Sequence, residues 1–231
     1  MIVVTGGTKG IGRAVIERFA AAGKEIITCA RKKDELNALK KDIEKRFNTT
    51  VHVCVADFSK RKDVDKFADF VKSKTDFVEV LVNNVGFFEP GQIQNEAEGV
   101  LEKTLETNVL SAYHLTRAFL PAMIEKKDGY IFVLCSTASI MAYTNGGSYC
   151  ISKFALYGMT KVLRAELKEH NIRVTAVLPG ATRTASWDGV DMPDERFMKS
   201  EDVAEMMYAA FSVSKRAVIE EILLRPQLGD I

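Results

Sequence analysis

At 231 residues and 47 % hydrophobic side chains, the chain can build one sizeable core without disulfides. Its 32 basic and 31 acidic residues leave a formal charge of +1 with no basic block, which argues against nucleic-acid binding, and no apolar run is long enough to suggest a membrane span. Cys29, Cys54, Cys135 and Cys150 form no CxxC pair, and His52, His114 and His170 stand at no metal-ligand spacing, so the expectation is free thiols, a reducing compartment and no metal site.

The chain opens on the apolar run Ile2–Thr5 with no charged leader, which predicts a first strand in a cytoplasmic protein. Thr5-Gly6-Gly7-Thr8-Lys9-Gly10-Ile11-Gly12 then leads into a helical pattern at Gly10–Ala22. Glycines in such a turn let the backbone approach a pyrophosphate, and the helix start supplies N–H groups and partial positive charge. Gly6, Thr8, Lys9, Gly10, Ile11 and Gly12 are therefore candidate dinucleotide contacts.

The second strand, Glu25–Ala30, ends in Arg31-Lys32-Lys33, with no carboxylate before Asp34. At that place an acidic residue holds a ribose 2′-hydroxyl, whereas arginine accommodates a 2′-phosphate. Arg31, with Lys9 from the glycine turn, favours NADP over NAD, against the alternative of two solvated surface cations. A helix is predicted at Lys33–Phe47, a third strand at Val51–Val55 and a third helix at Lys60–Lys74. Asp57 either accepts an adenine amino proton or, like Ser59, caps that helix; Phe58 beside it is placed at the same cofactor edge.

The fourth strand, Val80–Asn83, runs into Asn83-Asn84-Val85-Gly86 and then Phe87-Phe88. One long helix is expected at Gly99–Lys126, carrying Asn108. The continuously apolar strand Tyr130–Cys135 delivers Ser136 to the carboxyl edge of a parallel sheet, where ligands bind and a hydroxyl can meet developing negative charge. In the helix Ser148–His170, Tyr149 and Lys153 are four apart and share a face. An ammonium there stabilises a phenolate and suits the tyrosine to proton transfer. The sixth strand, Arg173–Leu178, precedes Pro179-Gly180-Ala181-Thr182-Arg183-Thr184. Residues 181–199, with Trp187 and Met192, have weak periodicity and read as a short substrate lid. Helix Ser200–Phe211, opened by Ser200 as a cap without a reciprocal box, and strand Ala217–Leu224 complete the chain.

Alternating strands and helices without a linker predict one domain over 1–231, an α/β fold with a doubly wound, Rossmann-type, parallel seven-stranded sheet and helices on both faces. With TGxxxGxG at Thr5–Gly12, NNxG at Asn83–Gly86, Ser136, YxxxK at Tyr149–Lys153 and the PG turn at Pro179, the chain resembles the standard-length short-chain dehydrogenase/reductase family over nearly its whole length. The resemblance implies Tyr149 as general acid/base, Lys153 as its partner and the ligand of the nicotinamide ribose, and Ser136 as the substrate-orienting hydroxyl. It implies Asn108 as the holder of a water linking the lysine to solvent. Asn83, Asn84 and Gly86 then line the adenosine ribose side, and Pro179, Gly180, Thr182 and Thr184 hold the carboxamide. Val85 in place of the usual alanine, and Cys135 where a serine often precedes Ser136, remove no reacting group.

Phe87, Phe88, Tyr143, Trp187 and Met192, around Ser136 and Tyr149, are candidates to line a pocket for a flat ketone. The tail Glu220–Ile231 is similar to bacterial sepiapterin-reductase-like members and to chains grouped with 3-oxoacyl-carrier-protein reductases. The expected activity is NADP(H)-dependent reduction of a small carbonyl, a ketone, diketone or pteridine side chain. The alternatives are a 3-oxoacyl thioester reductase and a non-catalytic NADP(H) sensor. The expected partner is a small-molecule carbonyl or alcohol, with neither nucleic acid nor membrane. The resemblance adds a homodimer or homotetramer formed by the helices Gly99–Lys126 and Ser148–His170 across a two-fold axis.

Overall fold

Seven parallel strands make one sheet in the order β3-β2-β1-β4-β5-β6-β7. They are β1 (Ile2–Thr5), β2 (Ile26–Ala30), β3 (Val51–Val55), β4 (Val80–Asn83), β5 (Tyr130–Leu134), β6 (Arg173–Pro179) and β7 (Glu221–Leu224). The computed structural model describes residues 1–187, 189 and 191–231. The order runs outward from β1 in both directions, so the crevice between β1 and β4 is a topological switch point, where such sheets bind ligands.

The central strands are buried and largely apolar because both faces are covered, while the edge strands β3 and β7 are partly exposed. Side chains alternate between faces. Val3, Ile131 and Val133 join a core with Val64 and Phe67 of α3 (Arg61–Lys72), Leu115 and Phe119 of α5 (Ser111–Lys126) and Leu156 and Leu163 of α6 (Gly147–Leu167). Ile2, Val4, Phe132 and Leu134 join the opposite core with Ile16 and Phe19 of α1 (Gly10–Ala21), Leu39 and Ile43 of α2 (Lys33–Phe47), and Val203 and Met207 of α7 (Ser200–Ser212). The doubly wound parallel sheet expected from the sequence is the fold observed.

Four local features differ from the sequence expectation. The long helix at Gly99–Lys126 is α4 (Val100–Leu105), a π-helical turn at Glu106–Leu110, and α5. Thr104, Thr107 and Ser111 each donate a hydroxyl to the carbonyl four residues back, at 2.7, 2.8 and 2.6 Å, which weakens the regular ladder around the extra residue. Neither Asp57 nor Ser59 caps α3. Asp57 Oδ1 instead accepts from the backbone and hydroxyl of Ser59, at 3.2 and 2.8 Å, and the helix opens from Lys60. The cap of α7 is Lys199 rather than Ser200. Asp202 accepts from the Lys199 N–H at 3.1 Å, while the Ser200 hydroxyl turns to the Arg183 carbonyl. β7 is shorter than its apolar run, because it pairs with β6 only from Glu221 onward.

Candidate active site

The glycine turn is built around backbone that admits no side chain. Gly6 and Gly10 have φ of +69° and +55°. A Cβ on Gly12 would lie 2.5 Å from the Gly6 carbonyl and from Asn84 Nδ2. Asn84 belts the turn to β4: its Nδ2 donates to the carbonyls of Thr5 and Gly6, at 2.8 and 3.1 Å. The Thr5 hydroxyl accepts from the N–H groups of Asn84 and Val85, at 2.9 and 3.0 Å. No side chain of the cap residue Lys9 takes up the N–H groups at the start of α1. Thr184, beyond β6, lies over this cradle, since a Cβ on Gly10 would meet its methyl at 2.9 Å.

The residues after β6 hold one another. Gly180 donates its N–H to the Leu224 carbonyl at 2.8 Å, and the buried Thr182 hydroxyl donates to the Gly180 carbonyl at 3.0 Å. Pro179, the last residue of β6, lies opposite Leu224 of β7. The two ends of the expected lid pair through the backbones of Arg183 and Met198, at 2.8 Å. Half-buried Trp187 packs its ring against Phe197, with centroids 5.1 Å apart. Of the 181–199 segment, residues 188 and 190 lie outside the described residues.

At the end of β2, Arg31 is exposed and makes no ion pair among the described residues. Lys9, the second expected cation, is paired: its Nζ is 3.1 Å from Glu35 Oε1, and Lys32 Nζ is 3.3 Å from the same oxygen. The Thr8 hydroxyl donates to Glu35 Oε2 at 3.4 Å. Glu35 was not legible as a site residue; its only signal is its i,i+3 spacing from Lys32.

Two of the expected cofactor side chains point elsewhere. Phe58 is 5 % exposed and packs on Phe67 with centroids 5.7 Å apart, so its ring belongs to the core. Asn83 is 4 % exposed and donates to the Thr116 hydroxyl at 2.9 Å, which turns its amide into the layer beneath α5. Asp57 remains half-buried at the sheet edge beyond β3.

On the other side of the switch point, Lys153 is 4 % exposed, and its Nζ donates to the Leu134 carbonyl at 2.7 Å. A Cβ on Gly86 would stand 3.7 Å from that Nζ. The ammonium is 5.6 Å from the centre of the Tyr149 ring. One helix face and one strand end therefore bring Tyr149, Lys153 and the Ser136 segment together. Ser136 is extended and half-buried, and its Oγ accepts from Ala138 N at 3.1 Å in the short turn Thr137–Ser139. Burial pushes the neighbouring Cys135 thiol up to about 11, against the opposing pull of Lys153, so it packs as a neutral thiol.

Asn108 sits in the π turn and is 1 % exposed. Its Oδ1 accepts from Phe87 N at 2.7 Å, and its Nδ2 donates to Phe87 O at 3.0 Å and to Ser152 Oγ at 2.9 Å. Ser152 in turn donates to the Tyr149 carbonyl at 2.7 Å. The side-chain amide thus clamps the loop after β4 to α6.

Around the half-buried phenol, Phe88 meets the Tyr149 ring edge-on with centroids 4.9 Å apart. Tyr143 is 45 % exposed as a whole, but partial desolvation of its hydroxyl and the nearby Tyr149 both push that phenol above its ordinary range. Phe87 lies under the Lys103 ammonium at 4.0 Å. A further carboxylate, Glu96, accepts from Ser148 N at 2.8 Å and from the Ser148 hydroxyl, and so caps the start of α6. No spacing signal marks that contact, which spans 52 residues.

The short-chain dehydrogenase model matches residues 1–193. The chain belongs to the short-chain dehydrogenase family. This short-chain dehydrogenase is 31 % identical to sepiapterin reductase of Chlorobaculum tepidum, over 100 % of this chain and 98 % of that protein. It superimposes on an alcohol dehydrogenase of the archaeon Thermococcus sibiricus complexed with 5-hydroxy-NADP with a TM-score of 0.91 and 25 % identity, covering 100 % and 97 % of the two chains. A metagenomic short-chain oxidoreductase in complex with NADP gives a TM-score of 0.86 at 28 % identity, covering 98 % and 96 %. Family and fold together make the chain an oxidoreductase, as its motifs imply.

Proposed function

We propose that this short-chain dehydrogenase uses NADP(H) to interconvert a small carbonyl compound and its alcohol, with Tyr149, Lys153 and Ser136 as its catalytic residues. The observation that carries the reading is the buried Lys153 ammonium, anchored on Leu134 at the carboxyl edge of β5 and 5.6 Å from the Tyr149 ring. The glycine turn fits the diphosphate of such a cofactor, because its backbone is pressed too tightly for a Cβ at Gly12 and α1 opens without a side-chain cap. Arg31 and Lys9 would hold the 2′-phosphate, and the solved relatives bound to NADP support that choice. Gly86 and Lys153 would flank the nicotinamide ribose, with Thr182 and Thr184 on the carboxamide side.

When bound, the cofactor supplies or accepts the hydride. Tyr149 gives a proton to the substrate oxygen in reduction and takes it back in oxidation. Lys153 stabilises the phenolate left behind. The Ser136 hydroxyl donates to the substrate oxygen and orients its carbon. Asn108 positions α6 against the loop that carries Phe87 and Phe88.

The substrate we favour is a small, flat carbonyl of the diketone or pteridine side-chain type. The similarity to sepiapterin reductase supports it, as does the aromatic surround of Phe88 and Tyr143 at Tyr149. The chain acts as one domain over 1–231, with the 181–199 segment as its lid. A cytoplasmic homodimer or homotetramer is in keeping with the exposed Leu101, Leu110 and Tyr113 on α4–α5 and Ile151, Phe154 and Val162 on α6. Among the described residues, no helix is long and apolar enough to cross a membrane.

The test is NADPH consumption by the purified protein against diketones, quinones, pteridines and acetoacetyl thioesters, for the wild type and Tyr149→Phe. The expected result is turnover of a diketone or pteridine that the variant abolishes while still binding NADPH. NADPH binding without turnover of any compound favours a sensor, and turnover of acetoacetyl thioesters alone moves the substrate class.

A further inference from the structure

Glu35 is ion-paired to Lys9, one of the two cations proposed above to hold a cofactor 2′-phosphate, and to Lys32, which follows the other in the chain. It lies in the first turn of α2, just past the end of β2, and its carboxylate meets Lys9, Lys32 and the Thr8 hydroxyl together. These donors come from two segments, the glycine turn and the start of α2. Two ammonium groups and a hydroxyl are also the set that a phosphate monoester needs. An anion already held by these donors competes with an incoming one. Part of the attraction of Lys9 and Lys32 for a 2′-phosphate is therefore used to displace Glu35, and the carboxylate left beside the site repels the phosphate. A nucleotide with a free 2′-hydroxyl meets no such competition and can donate to Glu35.

We propose that Glu35 is a specificity-determining residue of this short-chain dehydrogenase: an internal anion that competes with the 2′-phosphate for Lys9 and Lys32 and so narrows the preference for NADP(H) over NAD(H). The proposal rests on the NADP(H) reading above. The pairs are exposed, so the effect is a modest one that salt screens.

The test is calorimetric titration of the wild type and Glu35→Gln with adenosine 2′,5′-bisphosphate and with adenosine 5′-monophosphate, which lacks only the 2′-phosphate, at low and high salt. Glutamine keeps the shape and removes the charge at a half-buried position, which the fold should accept. The expected result is that Glu35→Gln binds the 2′,5′-bisphosphate about five- to tenfold more tightly at low salt, less so at high salt, with the 5′-monophosphate within about twofold of wild type. Equal affinities of wild type and variant for the bisphosphate, with the wild type still preferring it to the monophosphate, overturn the role of Glu35 and leave the NADP(H) reading standing. Weaker bisphosphate binding by the variant also overturns it, by showing that Glu35 organises the cations. If neither protein prefers the bisphosphate, both readings fall.

Discussion

Lys153 donates its buried ammonium to the carbonyl of Leu134 at 2.7 Å, which ties the helix bearing Tyr149 to the last residue of β5. In the proposed chemistry the lysine supports the phenolate as well as anchoring the helix, and stability and turnover of one variant read out the two effects separately. Lys153→Met keeps an unbranched side chain at this buried position but removes the ammonium donor from the Leu134 carbonyl, at a cost of about 1–3 kcal/mol of stability. Turnover is expected to fall by about 10²–10⁴, the range for a disabled acid–base group, while the variant remains folded at room temperature. Thermal melting and steady-state kinetics on the same preparation check this. A folded variant with near wild-type kcat would remove the lysine from the proposed chemistry.

Asn108 is the junction between the π turn, the loop after β4 and α6. Asn108→Ala leaves the Phe87 N–H and C=O without their amide partner and frees the Ser152 hydroxyl. Loss of several buried hydrogen bonds at a site 1 % exposed is expected to cost about 2–4 kcal/mol. Phe87 and Phe88 lose their fixed position against Tyr149, so KM is expected to rise as kcat falls. Urea denaturation gives the first quantity and saturation kinetics the second. An unchanged denaturation midpoint would mean that the clamp contributes nothing.

The contrast between what the sequence revealed and what it hid follows from the range of the forces involved. Ile131, Phe132 and Val133 identify a doubly covered strand because burial on both faces demands apolar residues at every position. Tyr149 and Lys153 were legible because helix geometry converts a spacing of four into a shared face. The π turn was hidden, because a helix with one extra residue keeps an apolar periodicity close to the regular one over a short span. Glu96 and Glu35 were hidden for another reason. A carboxylate's partner is set by tertiary approach, and Glu96 reaches Ser148 across 52 residues that carry no repeating signal. Phe58 and Asn83 stand at the expected chain positions, but the strand ends turn their side chains into the core.

Glu96 gives a prediction about the substrate loop. Its carboxylate accepts from the backbone at the start of α6, where negative charge is also favoured by the helix dipole. Gly91 pairs with this same segment through Asn145 and Gly147, at 3.0 and 3.1 Å. Glu96→Ala therefore removes the cap and loosens the loop together, with an expected loss of about 1–2 kcal/mol. Glu96→Gln retains an acceptor oxygen and should lose less than half as much. Thermal melting of both variants distinguishes them, and equal losses would show that only the charge matters.

The glycine turn gives the sharpest contrast between crowding and backbone strain. Gly12 has no left-handed φ, yet an added Cβ would stand 2.5 Å from the Gly6 carbonyl and from the Asn84 amide that belts the turn. The Asn84 amide is a side-chain end, but the Gly6 carbonyl is backbone, so the cradle itself must shift. Gly23 is the opposite case: φ is +74° and nothing lies within 4 Å of the added carbon. Gly23→Ala should cost about 1 kcal/mol through backbone strain alone and leave nucleotide binding intact. Gly12→Ala should weaken NADPH binding by at least about tenfold, because the N–H groups at the start of α1 are moved out of register with the diphosphate. Titration of both variants with NADPH, beside thermal melting, separates the two effects. If Gly12→Ala lowered the melting temperature but bound NADPH as tightly as Gly23→Ala does, the diphosphate would have to sit elsewhere than on this turn.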